Sequence, residues 1–308
     1  MLTLKIWKLI VLLAIFSLAA FPQEAGQKTF DSPQAAATAL YDAANSTERG
    51  GVLAVLGASS QDVIHSGDPV QDEKARQNFI MQYNQMNRIG KQSDGSRVLY
   101  IGVDNWPFPI ALKQTNGKWY FDTFSGKQEI LFRRIGKNEY AAMRILNALA
   151  DAQFQYRELF AQYTDKVMSS EGQKDGLYWP ASAGQEESPI GPLVAYAAGE
   201  GYTRSDEPAP FHGYYFRPLT SQGASAKGGA KKYAVNGKMT GGFAFVAYPA
   251  EYRGSGVMTF LINQDGYIFE KDLGQKTADA AKAITSFNPD KTWKRVPEDE
   301  VVDDETAD

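Results

Sequence analysis

Asp122 and Glu129 stand seven residues apart in YFDTFSGKQEILFRR, and Arg133 and Arg134 follow at once. Two carboxylates held about 5 to 9 Å apart across a cleft could serve as general acid and base on a glycosidic bond. The same residues have a plainer use. Glu129 and Arg133 form an i,i+4 pair on a helix, worth about 0.3 kcal/mol, and Arg133 or Arg134 could tie Asp122 or Glu139 across a junction between two units. His212, in PFHGYYF, is the other candidate general base. It would need a nucleophile within hydrogen-bond reach and a carboxylate to orient it. Ser188 and Ser255 are available, but neither sits in a Gly-x-Ser-x-Gly elbow, and Gly254 and Gly256 around Ser255 read as a turn or bulge.

Other chemistries are poorly supplied. The chain has no cysteine and two histidines, His65 and His212, so thiolate and disulfide chemistry is absent and a zinc site, with its three or four good ligands, is not expected. GGAKK at 228–232 lacks the spacing and the Ser/Thr of a phosphate loop. No cofactor is expected. The formal charge is −4, and seven acids lie in the closing PEDEVVDDETAD. A nearly neutral body has no basic field to gather a phosphate backbone, so nucleic acid is not an expected partner. Tyrosines and tryptophan offer a third possibility. Tyr178, Trp179, Tyr202, Tyr214, Tyr215, Tyr248 and Tyr252 gather around a long loop and several strand ends, where they serve either the core or a surface that binds protein or glycan.

The elements that must position these residues can be read from period and punctuation. MLTLKIWKLIVLLAIFSLAA has Lys5 and Lys8 before a short apolar run and small residues after it, the pattern of a secretory signal peptide. Cleavage is expected after Ala19, Ala20 or Ala25, and an uncleaved amino-terminal membrane anchor is the alternative. No cysteine follows the run, so no lipid anchor is expected. Asp31 or Ser32 before Pro33, and Asp68 before Pro69, announce two helices. GVLAVLG is a short helix between them, and the second long helix is expected to run about four turns, with Ala75, Phe79, Ile80, Tyr83 and Met86 at helical spacing. RVLYIGVD, FPIALKQT and KWYFDTF then read as strands, with a tight turn at Asn116-Gly117.

Helical period resumes at Gly126 and continues to about Gln162. A break is expected at Gly136, with Asn138 starting a new helix and Glu139 in its first turn. Ala142, Leu146, Leu149, Gln153, Tyr156 and Phe160 form one stripe of that helix, the expected packing face. Residues 163–187 read as loop, PLVAYAAGEGY as a short helix, and the last third as an antiparallel meander with Phe243, Phe245, Phe260 and Ile262 facing the helix. The predicted organisation is α+β. A leader occupies 1–25, an amino-terminal α+β unit 27–135, a helix-plus-meander unit 136–296 and an acidic tail 297–308.

Several long stretches together resemble the DUF2950 family of exported bacterial proteins: KWYFDTFSGKQEILFRRIGKNE, EESPIGPLVAYAAGEGY, PFHGYYFRPL and GGFAFVAYPAEYRGSGVMTFLINQDGYIFEKDLG. That resemblance implies export and carries no catalytic residues. Residues 137–273 are also similar to pilin-like and pseudopilin globular domains. Asn138, Glu139, Ala152, Gln153 and Tyr156 match the helix pattern, Gly213, Tyr214 and Phe216 the first strand, and Gly256, Phe260, Asp265 and Gly266 the final hairpin. Pilin-like subunits carry an assembly helix directly before this segment, and here a whole α+β unit stands there. The expected role is a periplasmic binding or structural accessory of an envelope assembly process, with an envelope protein as partner. Oligomeric state is not set by the sequence. The alternative is an envelope glycan hydrolase using Asp122 and Glu129.

Overall fold

The computed structural model describes residues 23–46, 50–181, 184, 186–203 and 208–297. The leader's apolar run and all but the first residue of the acidic tail lie outside the described residues.

The first helix, α1 (Pro33–Asn45), begins where Ser32 Oγ accepts the Ala35 N–H at 3.1 Å, and Pro33 occupies the first turn. Its alanine face is buried, and α2 (Gly50–Leu56) packs against it. A 3₁₀ turn (Ala58–Ser60) and α3 (Gln61–Ile64) lead to α4 (Pro69–Gln85), capped by Asp68. The first sheet holds β1 (Asn87–Lys91), β2 (Arg97–Ile101), β3 (Trp106–Pro107), β4 (Leu112–Thr115) and β5 (Lys118–Phe121), in the order β1-β2-β4-β5 with β3 on β2. Asn116 (φ 48°) and Gly117 (φ 77°) make the expected tight turn between β4 and β5. Leu40, Val55, Leu112 and Phe121 fill the core between helices and sheet.

One strand was not expected. The segment NRIGK, which sequence did not mark as a strand, is β1, paired residue for residue with β2. Gly90 permits this, because a β-carbon there would stand 2.6 Å from the Tyr100 ring on the neighbouring strand.

A single helix, α5 (Thr123–Phe160), runs 38 residues, about 57 Å at 1.5 Å per residue, without interruption. The break expected at Gly136 is absent. Gly136 is exposed and helical, and a β-carbon there would meet nothing within 4 Å. Its conformational cost relative to alanine, about 1 kcal/mol, is outweighed by burial of Leu131 before it and Asn138, Ala142 and Met143 after it. The helix starts at Asp122 and ends where Ala161 turns left-handed (φ 56°). Its first half contacts the 58–64 segment and its second half the last sheet, so the two expected units share it.

After a long connection come α6 (Gly191–Gly199), β6 (Tyr214–Leu219), the ribbons β7 (Ser221–Gln222) with β8 (Lys231–Lys232) and β9 (Ala234–Val235) with β10 (Lys238–Met239), then β11 (Ala244–Pro249), β12 (Met258–Asn263), β13 (Phe269–Asp272), α7 (Thr277–Lys282) and β14 (Lys294–Arg295). The second sheet is antiparallel throughout in the order β14-β13-β12-β11-β6, the meander expected. Phe245 pairs with Ile262 and Ala247 with Phe260, and these residues, with Phe243, are buried in one core with Ala142, Leu146 and Leu149 of α5. Phe154 of α5 meets Phe243 edge-on at 5.4 Å. Arg217, of opposite pleat to Phe216 and Pro218, donates to the carbonyls of Ala281 (3.0 Å) and Ile284 (2.7 Å), which holds α7 against the other face.

Residues 163–181 fold back on α5. Gln153 makes a reciprocal pair with Thr164, its Nε2 donating to the carbonyl at 2.6 Å and its Oε1 accepting the amide at 3.0 Å. Tyr156 Oη donates to the Lys174 carbonyl at 3.0 Å. Gln153 and Tyr156 thus fasten the 164–174 part of the loop to the helix.

Candidate functional site

Asp122 caps α5, its Oδ1 accepting the Ser125 amide at 3.3 Å, and Lys113 Nζ lies 2.6 Å from its Oδ2. Burial alone would push this carboxyl up, but the Lys113 ammonium and the Ser125 donors outweigh it and hold the group below the ordinary carboxylate range. Both oxygens therefore have structural partners. Glu129 is exposed on α5 and pairs with Arg133 at 2.8 Å, both side chains more than half open to solvent. The two carboxylates belong to different surroundings, one walled by Lys113 and one facing water.

Arg134 does join the two halves of the chain, though not through Asp122 or Glu139. Its guanidinium donates to carbonyl oxygens of both halves: Asp62 at 2.7 Å and Val63 in the first, and Gly254 at 3.4 Å in the second. Burial pushes its pKa down, and the carboxylates of Asp72 and Asp62 oppose that fall. Asp62 also pairs with Lys127 at 2.9 Å.

Asn138 and Glu139 continue this seam one turn further along α5. Asn138 is buried, donates to the Ser255 carbonyl at 2.9 Å and accepts from Gln71 of α4 at 2.8 Å. The expectation that it starts a helix is corrected: it lies mid-helix, and its amide bridges the units instead. Glu139, expected in a first helical turn, accepts the amides of Val257 (2.8 Å) and Met258 (2.9 Å) at the entry to β12. Tyr214 Oη donates to the Met258 carbonyl at 2.9 Å, and its pKa stands well above 10 from burial and the nearby Glu139 carboxylate.

The glycines of HGYY and GSG are required here by space. A β-carbon on Gly213 would approach Asn138 Nδ2 to 2.5 Å, and one on Gly256 would approach Tyr214 Oη to 2.1 Å. Ser255 is fully buried. Its hydroxyl accepts the Glu251 amide at 2.9 Å and donates to the Glu251 carbonyl at 3.2 Å. That closes a turn, one of the two forms expected from GSG, between the bridged residues Tyr252 and Gly256.

His212 adopts a left-handed backbone (φ 49°). Its Nε2 lies 2.9 Å from Glu200 Oε2 without an aligned hydrogen bond, and Glu200 Oε1 accepts from Lys74 of α4 at 3.0 Å. Next to it is Asp68, a carboxylate with four donors. Oδ1 takes the Val70 and Gln71 amides at the start of α4, and Oδ2 takes Tyr202 Oη at 2.8 Å and the Gly213 amide at 2.9 Å. Burial lowers the His212 pKa, and the Glu200 and Asp68 carboxylates oppose that fall without cancelling it. A histidine beside a carboxylate has the form of a base with its orienter. The partners of His212 are Glu200, Tyr202 and the rings of Tyr196 and Phe211; neither Ser188 nor Ser255 is among them.

Of the aromatics expected at a binding surface, Trp179 (3 % exposed) and Tyr214 (0 %) belong to the core and are corrected accordingly. Trp179 Nε1 donates to the Glu186 carbonyl at 3.1 Å. Tyr178 and Tyr252 are half-buried, as is Tyr202 on Asp68, and Tyr252 Oη donates to Asp272 at 3.2 Å. They form no common patch with Trp179 and Tyr214. Asp68, Gln71, Lys74 and Glu200 were not singled out from sequence. Asp68 was visible as a helix cap, but one oxygen of a cap says nothing of what the other will accept.

Among the described residues no group of three or more His, Asp or Glu could hold a metal ion, and no helix is long and apolar enough to cross a membrane. Residues 27–296 match a family model described as a protein of unknown function, DUF2950. No curated protein and no solved structure matches the chain.

Proposed function

We propose, from the premise that this chain belongs to the DUF2950 family, that it is a non-enzymatic binding or structural accessory of an envelope assembly process, exported by its leader. One observation carries the reading. The buried groups with chemical capacity already have structural partners: Asp122 caps α5 and pairs with Lys113, Arg134 and Asn138 bridge α5 to segments of both units, and His212 lies against Glu200 beside Asp68, whose oxygens are shared between α4 and Gly213. Such sharing suits a rigid scaffold, whose surfaces meet other proteins. A helix lying across an antiparallel meander supports the likeness to pilin-like globular domains as a shape. Assembly through an amino-terminal membrane helix is not part of the proposal, because an α+β unit precedes the helix.

The glycan hydrolase is the competing reading, and one comparison separates the two. Purified mature protein should leave cell-wall glycan intact, and Asp122→Asn should alter its thermal stability only. In parallel, a tagged mature form cross-linked in the periplasm should retain a stoichiometric protein partner. Glycan cleavage lost in Asp122→Asn, or the lack of any retained partner, would overturn the proposal.

A further inference from the structure

Helix α6 reads GPLVAYAAG and contains no charged residue, yet none of its nine residues is buried. A helix apolar on every side is normally enclosed. Here Leu193 and Val194 pack partly against the core, while Pro192, Ala195, Tyr196 and Ala198 are exposed, Tyr196 to 56 %. Small side chains on that outer face let another backbone come close. Beside it, between the end of α5 and residues 186–192, runs an open groove of about 340 Å³ with Leu159, Pro189 and Pro192 in its wall. Its remaining lining includes Glu158, Glu186 and Glu187. Lys174 reaches Glu186 at 3.4 Å, whereas Glu158 and Glu187 have no ion pair among the described residues.

We propose that the outer face of α6 and this groove together dock a partner protein segment that is apolar and positively charged. The inference rests on the accessory reading above and names its surface. Charge selects the occupant. A second copy of this chain would bring the same glutamates to the same interface, and an anionic lipid surface would meet them with like charge. Lysine or arginine side chains of a partner would reach Glu158 and Glu187, while its apolar side chains cover Leu159, Pro189 and the Ala195–Tyr196 face. Tyr196 is the expected anchor, since a tyrosine brings large contact area with few rotatable bonds. Its ring stacks on His212 with centroids 6.1 Å apart and planes 17° from parallel. Occupancy of the face is therefore felt at His212.

That contact supplies the readout, since His212 and His65 are the only histidines of the chain. The probe is a short synthetic peptide of leucine and lysine at helical spacing, with a leucine–glutamate peptide as its control. The lysine peptide should bind the mature protein and move the His212 ring resonances while leaving His65 in place. Tyr196→Asp, and separately Glu158→Lys with Glu187→Lys, should each weaken binding about tenfold, the size of one lost anchor or charge contact, with unfolding temperature unchanged. No binding at millimolar peptide, equal binding of the glutamate peptide, or binding indifferent to both substitutions would overturn the proposal. So would self-association or vesicle binding abolished by Tyr196→Asp. If the periplasmic partner is still captured by both variants, this face is wrong and the accessory reading stands. If the unsubstituted protein captures nothing, the reading itself fails.

Discussion

Asp68 and Gly213 lie 145 residues apart in sequence and 2.9 Å apart as acceptor and donor. The same carboxylate starts α4 through its other oxygen, so one buried side chain orders a helix of the first unit and the entry strand of the second. Asp68→Asn tests this sharing. An amide can still cap α4 with its oxygen, but its NH₂ then faces the Gly213 N–H, a donor against a donor. Stability should fall by about 2 kcal/mol, the cost of a buried donor without an acceptor, read as the urea midpoint at constant slope. A midpoint equal to the parent's would remove Asp68 from the seam.

Gly213 and Gly237 offer a controlled comparison, because both have positive φ, 73° and 76°. Alanine at either position meets the same backbone strain, about 1 to 2 kcal/mol. Only at Gly213 does the β-carbon also strike Asn138 and Ser255, whereas Gly237 opens onto solvent. Gly213→Ala should therefore cost about 2 kcal/mol more than Gly237→Ala, within the range for overpacking. Equal losses would mean the close approach to Asn138 is not made in solution.

Gly136→Ala carries the opposite sign. In an uninterrupted exposed helix the substitution should raise stability by about 1 kcal/mol. Were the chain kinked or capped at Gly136, alanine would lower it. Chemical denaturation of the two proteins decides between them.

These positions also show what could be read in advance. Ser32-Pro33, Asp68-Pro69 and Asn116-Gly117 act within three or four residues, so their helix starts and turn were legible. The stripe of Ala142, Leu149 and Gln153 was legible for a similar reason, since spacing alone puts those residues on one face. Gly136 misled because its intrinsic preference is local and the burial that overrides it on α5 is not. NRIGK carries little strand propensity, and only the ladder with β2 makes it β1. The seam was out of reach. Asn138 has its partners at Gln71 and Ser255, and nothing in the intervening residues announces either.

The pH dependence follows from His212 and Asp122. Burial depresses His212 below its ordinary value of 6.5 against the opposing pull of Glu200 and Asp68. Between the folded and unfolded values the unfolded chain binds more protons, so stability should decline as pH falls below about 7. Asp122, also depressed in the fold, adds a second loss only below the ordinary carboxylate value of 3.8. His212→Asn keeps a residue that tolerates the left-handed backbone and should flatten the first decline while leaving the second. A melting curve with the same slope near pH 6 in both proteins would contradict this assignment.

Calorimetry of the mature chain tests most directly whether α5 and its seam make one body of the two units. One transition is predicted, with calorimetric and van't Hoff enthalpies in agreement, and Asn138→Ala should move the whole of it to lower temperature. Two resolved transitions in the unsubstituted protein, or an Asn138→Ala shift confined to one of them, would contradict the account.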